Sequence, residues 1–373
     1  MAEYKIQDTT LTAIANAIRA KTGSTGTIAV SNFATQIGTI ETTPAGLAKL
    51  NSTTVTATMP SASSWISMAY GNGKFVAIGS GGSSTAAAYS TDGIRWTATT
   101  MPSAADWYSV TYGEGKFVAV ARNSNKAAYS NDGITWIATT LPETGYWYSV
   151  AYGNGVFVAS FRGYSSSENS GYTGYSYDGI EWFETGMDGY RYWNNVTFGN
   201  GKFVQIATSS STAAYSTDGF YWTWCSLPSS ASWRYVAYGG GTFVAIVSSA
   251  NTAAYSTDGM KWTATTLPSS GPWRAITYGA GKFVALASGT NTAAYSTDGI
   301  TWGTTTMPSS ANWYAVTYAD GKFIAAVSGS TEAAVSYDGI TWTSTGTVCD
   351  KLVNTSNADV TESTLAALTI AHT

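Results

Sequence analysis

Apolar and polar residues alternate along most of this chain in short runs broken by glycine-bearing turns, and the same set of runs keeps returning. In residues 107–140, WYSVTYGEGKFVAVARNSNKAAYSNDGITWIATT, four runs can be read: 108–112, with Val110 and Tyr112 on one face, then 116–120, 127–130 and 134–139. Alternation with period two over runs this short predicts β-strands. Gly113-Glu114-Gly115 connects the first two runs and Asp132-Gly133 the last two. Asp-Gly between strand residues predicts a type I′ hairpin, whose two central residues both need positive φ.

The pattern opens at a tryptophan seven times, at Trp65, Trp107, Trp147, Trp193, Trp233, Trp273 and Trp313, spaced 40 to 46 residues apart; the repeats are numbered one to seven from these positions. A period in that range, rich in strand formers and turns, is the signature of a propeller or similar array. The expected fold is therefore all-β, a seven-bladed β-propeller of four-stranded antiparallel blades, an arrangement that leaves only short sheet edges. Seven further tryptophans follow the Asp-Gly turns, and of the fifteen only Trp224 lies outside both series. Indoles at fixed places in every repeat point to packing between blades, where each buries a large apolar surface. Residues 52–60, STTVTATMP, repeat the pattern of Trp96 to Pro102 ahead of the first full repeat. They offer an extra outer strand to close the circle on the last blade, a place for which residues 341–347 also compete.

Ser90-Thr91-Asp92-Gly93-Ile94-Arg95-Trp96, Ser296-Thr297-Asp298-Gly299-Ile300-Thr301-Trp302 and their five counterparts resemble the Asp-box of sialidases, sortilins and related bacterial propellers. One residue fewer separates Asp from Gly here than in the usual box, which puts the chain with the wider Asp-box-like group. The resemblance implies a structural hairpin on the face away from the binding site, and it implies nothing about substrate.

Residues 1–50 break from this pattern. Leu11, Ile14, Ala15 and Ile18 fall at helical spacing before Gly23, and Phe33, Ile37 and Ile40 line one face of a second short helix. Two such helices cannot bury a core of their own and are expected to dock on another chain or on copies of themselves. Leu11 to Gly23, LTAIANAIRAKTG, with Ile28-Ala29-Val30 and the short Phe/Ile helix, resembles the N-terminal segment of tail-fibre and baseplate-associated proteins of phages and prophages of Gram-positive bacteria. The resemblance implies a virion protein made in the host cytoplasm, released by lysis and attached through residues 1–50 to other tail or baseplate proteins. A start with no apolar signal core agrees with that expectation. Three segments are expected: 1–50, a helical attachment or oligomerisation module; 51–350, the propeller; and 351–373, a C-terminal tail. A homo-oligomer, taken as a trimer, is a further expectation.

Composition removes several classes of function. Net charge is −4 with 11% charged residues, so no field to steer a nucleic acid is expected. No apolar run spans a bilayer, and membrane insertion is not expected. The one histidine, His372, leaves neither a metal site nor histidine-based catalysis within reach, and no cofactor is expected. Seven isolated turn aspartates read as turn formers, since calcium needs six to eight converging oxygens. Cys225 and Cys349 fall three repeats apart, beyond the roughly 7 Å Cα limit for a disulfide, and are expected as free thiols. A sialidase would need three arginines around a carboxylate. Arg191, Arg234 and Arg274 lie beside repeat openings, but Phe161-Arg162-Gly163-Tyr164 is only a partial echo of the Phe-Arg-Ile-Pro stretch, so no enzyme is expected.

Binding is the better reading. The loops between second and third strands are made of small hydroxyl, amide and glycine residues, and Tyr108, Tyr148, Tyr235 and Tyr314 stand beside repeat openings. Rings beside hydroxyl and amide donors suit sugars, here a bacterial cell-surface polysaccharide. Repeat three breaks the pattern, and added function tends to fall at such breaks. Its lengthened loop and the next connection bring Arg162, Tyr164, Glu168, Asn169, Tyr172, Asp188, Tyr190, Arg191 and Tyr192 into one neighbourhood. That neighbourhood is either the receptor site or a contact between subunits.

Overall fold

The computed structural model describes residues 49–82, 84–162, 171–187 and 191–353. The expected N-terminal helices lie outside them. The chain divides into two compact units, Val55–Gly346 and the terminal segments Met1–Thr54 with Thr347–Thr373. Among the described residues every regular element is a strand. Lys49–Thr56 and Thr345–Val353 pair as a two-stranded sheet, and Cys349 lies in the second of these strands.

Within Val55–Gly346 the repeats fold as antiparallel strands in chain order. Repeat five is the plainest: Trp233–Gly239, Thr242–Val247, Thr252–Ser256 and Thr263–Thr266 form a four-stranded sheet, and repeat four does the same. Elsewhere the expected blades are not separate. Thr97–Gly113, Ile137–Gly153 and Gly303–Ala319 each run unbroken from the last strand of one repeat into the first strand of the next, so among the described residues the repeats form four sheets, not seven, and the terminal pair makes a fifth. The cause is local. The connecting residues stay extended because they find partners in the preceding repeat, as in the pairs Ser84↔Ala105 and Ser124↔Gly145.

The type I′ turn expected at Asp-Gly is found instead at the first connection. At the first connection of each repeat both central residues are left-handed, for example Asn154 (φ 48°) with Gly155 (φ 79°) and Ala280 (φ 47°) with Gly281 (φ 74°), which is the type I′ signature. At the Asp-Gly turns only the glycine has positive φ, as in Gly299 (φ 76°). The aspartate instead uses its side chain. Asp298 Oδ1 accepts from the backbone N–H of Ile300 and Thr301 at 2.8 Å and from Ser296 Oγ at 2.9 Å, while Gly299 N–H donates to Ser296 Oγ at 2.8 Å. A carboxylate holding two backbone amides ahead of it makes a left-handed aspartate unnecessary. The same contacts recur at Asp92, Asp132, Asp178, Asp218, Asp258 and Asp338.

Consecutive repeats are packed by the tryptophans and by missing side chains. All seven opening tryptophans are fully buried. A Cβ placed on Gly299 would meet Val244 Cγ2 of repeat five at 2.6 Å, and one on Gly93 would meet Ile324 Cδ1 of repeat seven at 2.8 Å, so the first repeat packs on the last as each other repeat packs on its predecessor. The closing strand is shared. Ala57 and Met59 donate to the carbonyls of Ser344 and Thr331 at 2.8 Å, while Thr343 pairs with Val335. Both sequence candidates therefore contribute, and Met59, 2% exposed, fills the place that Met101, Leu141 and Met307 fill in other repeats.

In repeats one to six the glycine ending the first strand leaves room for the next repeat's aromatic ring. A Cβ on Gly239 would lie 1.9 Å from Tyr278 Cγ, at the base of the ring where no free side-chain end can swing aside. Gly239→Ala is expected to destabilise the fold by about 1–3 kcal/mol through overpacking. Urea unfolding checks this, and a midpoint within error of wild type would refute it.

Candidate functional site

The first strands of the repeats line an axial cavity of about 380 Å³, walled by Met68, Val150, Val196, Val236, Ile276 and Val316 among others. Two positions before these on each strand comes the residue following the opening tryptophan: Ile66, Tyr108, Tyr148, Asn194, Arg234, Arg274 and Tyr314. Arg234 of repeat five donates from Nη2 to the Tyr108 hydroxyl of repeat two at 3.3 Å. Repeats this far apart in a closed series meet only through side chains that point at its axis. These residues therefore gather at the axis where the first strands begin, the mouth of the array, and none of them lines the cavity itself.

Around that contact the groups are continuous. Arg122 donates to Asp106 at 2.7 Å and lies 4.9 Å from the Tyr108 ring centre and 6.0 Å from that of Tyr148. Tyr108 meets Tyr148 edge-on at 5.2 Å, and Tyr148 stacks with Tyr146 at 6.0 Å. The Arg162 guanidinium lies 4.0 Å from the Tyr192 ring centre and 5.8 Å from that of Tyr146. Arg274 lies 5.7 Å from the ring of Tyr314. Cations over ring faces are attracted by the ring quadrupole and hold the rings in place.

Electrostatics at the mouth is one-sided. Among the described residues no carboxylate ion-pairs with Arg162, Arg234 or Arg274, whereas Arg122 is paired with Asp106. Burial works against the charge of Arg234, but Tyr235 and Tyr108 outweigh it and hold the guanidinium proton more tightly than usual. Burial pushes the Tyr235 hydroxyl up to about 12, helped by Tyr108 and opposed by Arg234 and Arg274. The mouth is thus cationic and lined by tyrosines.

Of the residues expected as a site in repeat three, Arg162, Tyr172, Arg191 and Tyr192 lie among the described residues. Arg162 and Tyr192 meet at the mouth. Tyr172 is 8% exposed and stacks on Phe161 at 3.9 Å within the core of repeat three, so its ring serves packing. Arg191 lies 5.2 Å from the ring of Trp224, on the last strand of repeat four, and donates to Thr212 Oγ1 at 3.4 Å. Tyr164, Glu168, Asn169, Asp188 and Tyr190 lie outside the described residues. The mouth residues missed as a group were Tyr146, Arg122 and Asp106; their signal was a departure from the small residues that other repeats carry there.

Groups with other chemistry are accounted for locally. No cluster of three potential metal ligands occurs among the described residues. Cys225 is half-buried, and burial pushes its thiol up to about 11. Its Sγ points at the Gly259 carbonyl at 3.7 Å, where the corresponding Thr265 and Thr185 donate to the next repeat at 2.7 Å. No helix among the described residues is long and apolar enough to cross a membrane.

No protein-family model and no curated protein matches the chain. Solved structures do. Virginiamycin B lyase from Staphylococcus aureus is similar with a TM-score of 0.65 at 14% identity, over 75% of this chain and 97% of that one. YCF48 bound to D1 peptide is similar with a TM-score of 0.56 at 15% identity, over 78% and 97%. YCF48 from Cyanidioschyzon merolae gives a TM-score of 0.57 at 12%, over 74% and 96%. At these identities the likeness establishes fold, and the fold is that of a β-propeller.

Proposed function

We propose that the seven repeats are seven four-stranded blades of one propeller, and that the protein is a receptor-binding protein of a phage tail. In this reading the propeller binds a bacterial surface glycan without cleaving it, residues 1–50 attach it to other tail proteins, and the virion is its location. The observation that carries the binding role is the mouth, where tyrosines from several repeats are held by arginines around the axis. Such rings stack on the apolar faces of sugars while phenol, guanidinium and backbone groups meet the hydroxyls. The virion assignment rests on the resemblance of the first 40 residues to tail-fibre segments. An enzymatic reading is favoured by the likeness to virginiamycin B lyase, for which a catalytically inactive histidine-to-alanine variant with quinupristin is among the similar structures. Against it, this chain's one histidine is His372, next to the C-terminal residue.

The test is binding of the full chain to purified cell-wall polysaccharides of Gram-positive bacteria, with new reducing ends followed in the same samples. Saturable binding without release is expected, weakened at least about tenfold by Tyr108→Ala with Tyr148→Ala, the loss of one or two sugar-stacking contacts. Release of reducing ends would make the protein an enzyme. Absence of binding to any wall fraction would remove the receptor role.

A further inference from the structure

The nine-stranded sheet that joins repeats one to three aligns side chains that a single repeat could not. In it Arg122 is the cross-strand partner of both Asp106 and Tyr146, and Tyr146 is also the partner of Arg162. Directly opposed residues on neighbouring strands share a face and stand about 4.5–5.5 Å apart. Asp106, Arg122, Tyr146 and Arg162 therefore form one row that passes from repeat two to repeat three. Tyr108 and Tyr148 flank it, with the Arg122 guanidinium 4.9 and 6.0 Å from their ring centres and Tyr146 stacked on Tyr148 at 6.0 Å. Arg162 carries the row on to Tyr192 of repeat four at 4.0 Å. The fused sheet of repeats six and seven is built in the same way, yet its matching positions hold Pro272, Ser288, Asn312 and Ser328. One frame thus carries planar groups on one side of the array and mostly small polar ones on the other. A ligand seated on the axis would meet every repeat alike; a row confined to repeats two to four suits something laid across them.

We infer that the mouth is a linear seat for an internal stretch of an extended polysaccharide, whose consecutive sugar units lie along Tyr108, Arg122, Tyr148, Tyr146, Arg162 and Tyr192. The inference rests on the receptor reading and adds to it the form in which the glycan is recognised. All six residues are partly exposed. Phenol rings take the apolar sides of sugar rings, and the guanidinium donors between them meet hydroxyls at intervals along the chain. The row is also set before any ligand arrives. Asp106 accepts from Arg122 Nε at 2.7 Å and, through its other oxygen, from the Gly81 backbone N–H at 3.1 Å, so the first guanidinium is tied to repeat one as well as to its own strand. Groups already held in place lose less freedom when a ligand binds.

The experiment takes the wall polysaccharide that the full chain binds, cuts it by partial acid hydrolysis into size-graded fragments and titrates each calorimetrically against the full chain. Affinity is expected to rise at least about tenfold from single sugars to fragments of about six units, as successive stacking contacts add. Tyr146→Ala, in the middle of the row, should weaken the longest fragments by at least about fivefold and flatten the rise with length. Asn312→Ala, at the matching position of repeats six and seven, should change neither. If Tyr146→Ala does not fold, the length series on the wild-type chain decides alone. Single sugars that bind within about threefold of the longest fragments would overturn the inference and leave the receptor reading intact. Equal losses in Tyr146→Ala and Asn312→Ala would do the same. A chain that binds no wall polysaccharide at all would overturn both.

Discussion

Replacing Trp233 with alanine is expected to cost about 3–5 kcal/mol of stability, the range for truncating a buried tryptophan. The side chain is fully buried among Ile206, Ala213, Leu227, Ala245, Val247 and Ala254, so it joins repeat four to repeat five as well as filling its own sheet. Its indole N–H also donates to the Ser229 carbonyl at 2.9 Å, which fixes the connector that leads into the repeat. Small alanines on every side leave little that can move in to fill the hole, which favours the upper part of the range. Tyr221→Ala is the control. That ring is 77% exposed, and its loss is expected to change stability by no more than about 0.5 kcal/mol. Urea unfolding of both variants decides the matter, and equal midpoints would refute the packing account.

Acid should unfold the protein through its turns. At Asp92, Asp132, Asp178, Asp258, Asp298 and Asp338 burial pushes the carboxyl up, but backbone N–H donors and the neighbouring serine outweigh it and hold each below its ordinary value. A carboxyl depressed in the folded state adds stability above its unfolded pKa of about 3.9. That stability is lost as pH falls through the lower folded value, because the unfolded chain then binds more protons than the folded one. Stability is therefore expected to be level from about pH 7 to 5 and to fall below about pH 4, with several protons taken up on unfolding. Asp258→Asn with Asp298→Asn should lower that uptake by about two. A stability that stays level to about pH 2 would show that the turn carboxylates are not held in this way.

Much of the fold was legible because each feature recurs. Seven buried tryptophans and seven Asp-Gly pairs leave few alternatives to a circular array of antiparallel strands. The turn types were not legible, since Asp-Gly suits both a left-handed pair and a side-chain-closed turn. What separates them is the serine two residues before each aspartate, whose hydroxyl caps the glycine N–H. Sheet boundaries were hidden for a different reason: whether a connector stays extended depends on partners in the preceding repeat.

The site was legible in parts. Arg162, Tyr192, Arg234, Arg274, Tyr108 and Tyr148 all stand out from the sequence, but only the closure of the repeats brings them to one axis. Tyr172 stands beside a long loop in the sequence, while its ring packs against Phe161. Gly145, whose absent Cβ makes room for Phe161 at 2.3 Å, opens the space in which Phe161 and Tyr172 stack. The joint between repeats three and four is also polar. Gln205 stands where other repeats have alanine, accepts from Ser160 at 2.8 Å and donates to Thr173 at 2.9 Å, all three fully buried. Setting the repeats in columns would have exposed that substitution as a matched set.

The circle of repeats is laced unevenly. Ser67, Ser109, Ser149 and Asn195 each accept from a backbone N–H on the first strand of the following repeat, at Val110, Val150, Val196 and Val236, over 2.9 to 3.2 Å. At the next three joints the corresponding residues are Tyr235, Ala275 and Ala315, and the last joint also carries Ala319 in place of the usual glycine. Alanine offers no acceptor, so the strand amides of Val316 and Met68 lack the stitch that guards their counterparts. Deuterium should therefore enter the amides of Met68 and Val316 well before those of Val110, Val150 and Val196, marking the arc from repeat six through seven to one as the place where the molecule breathes.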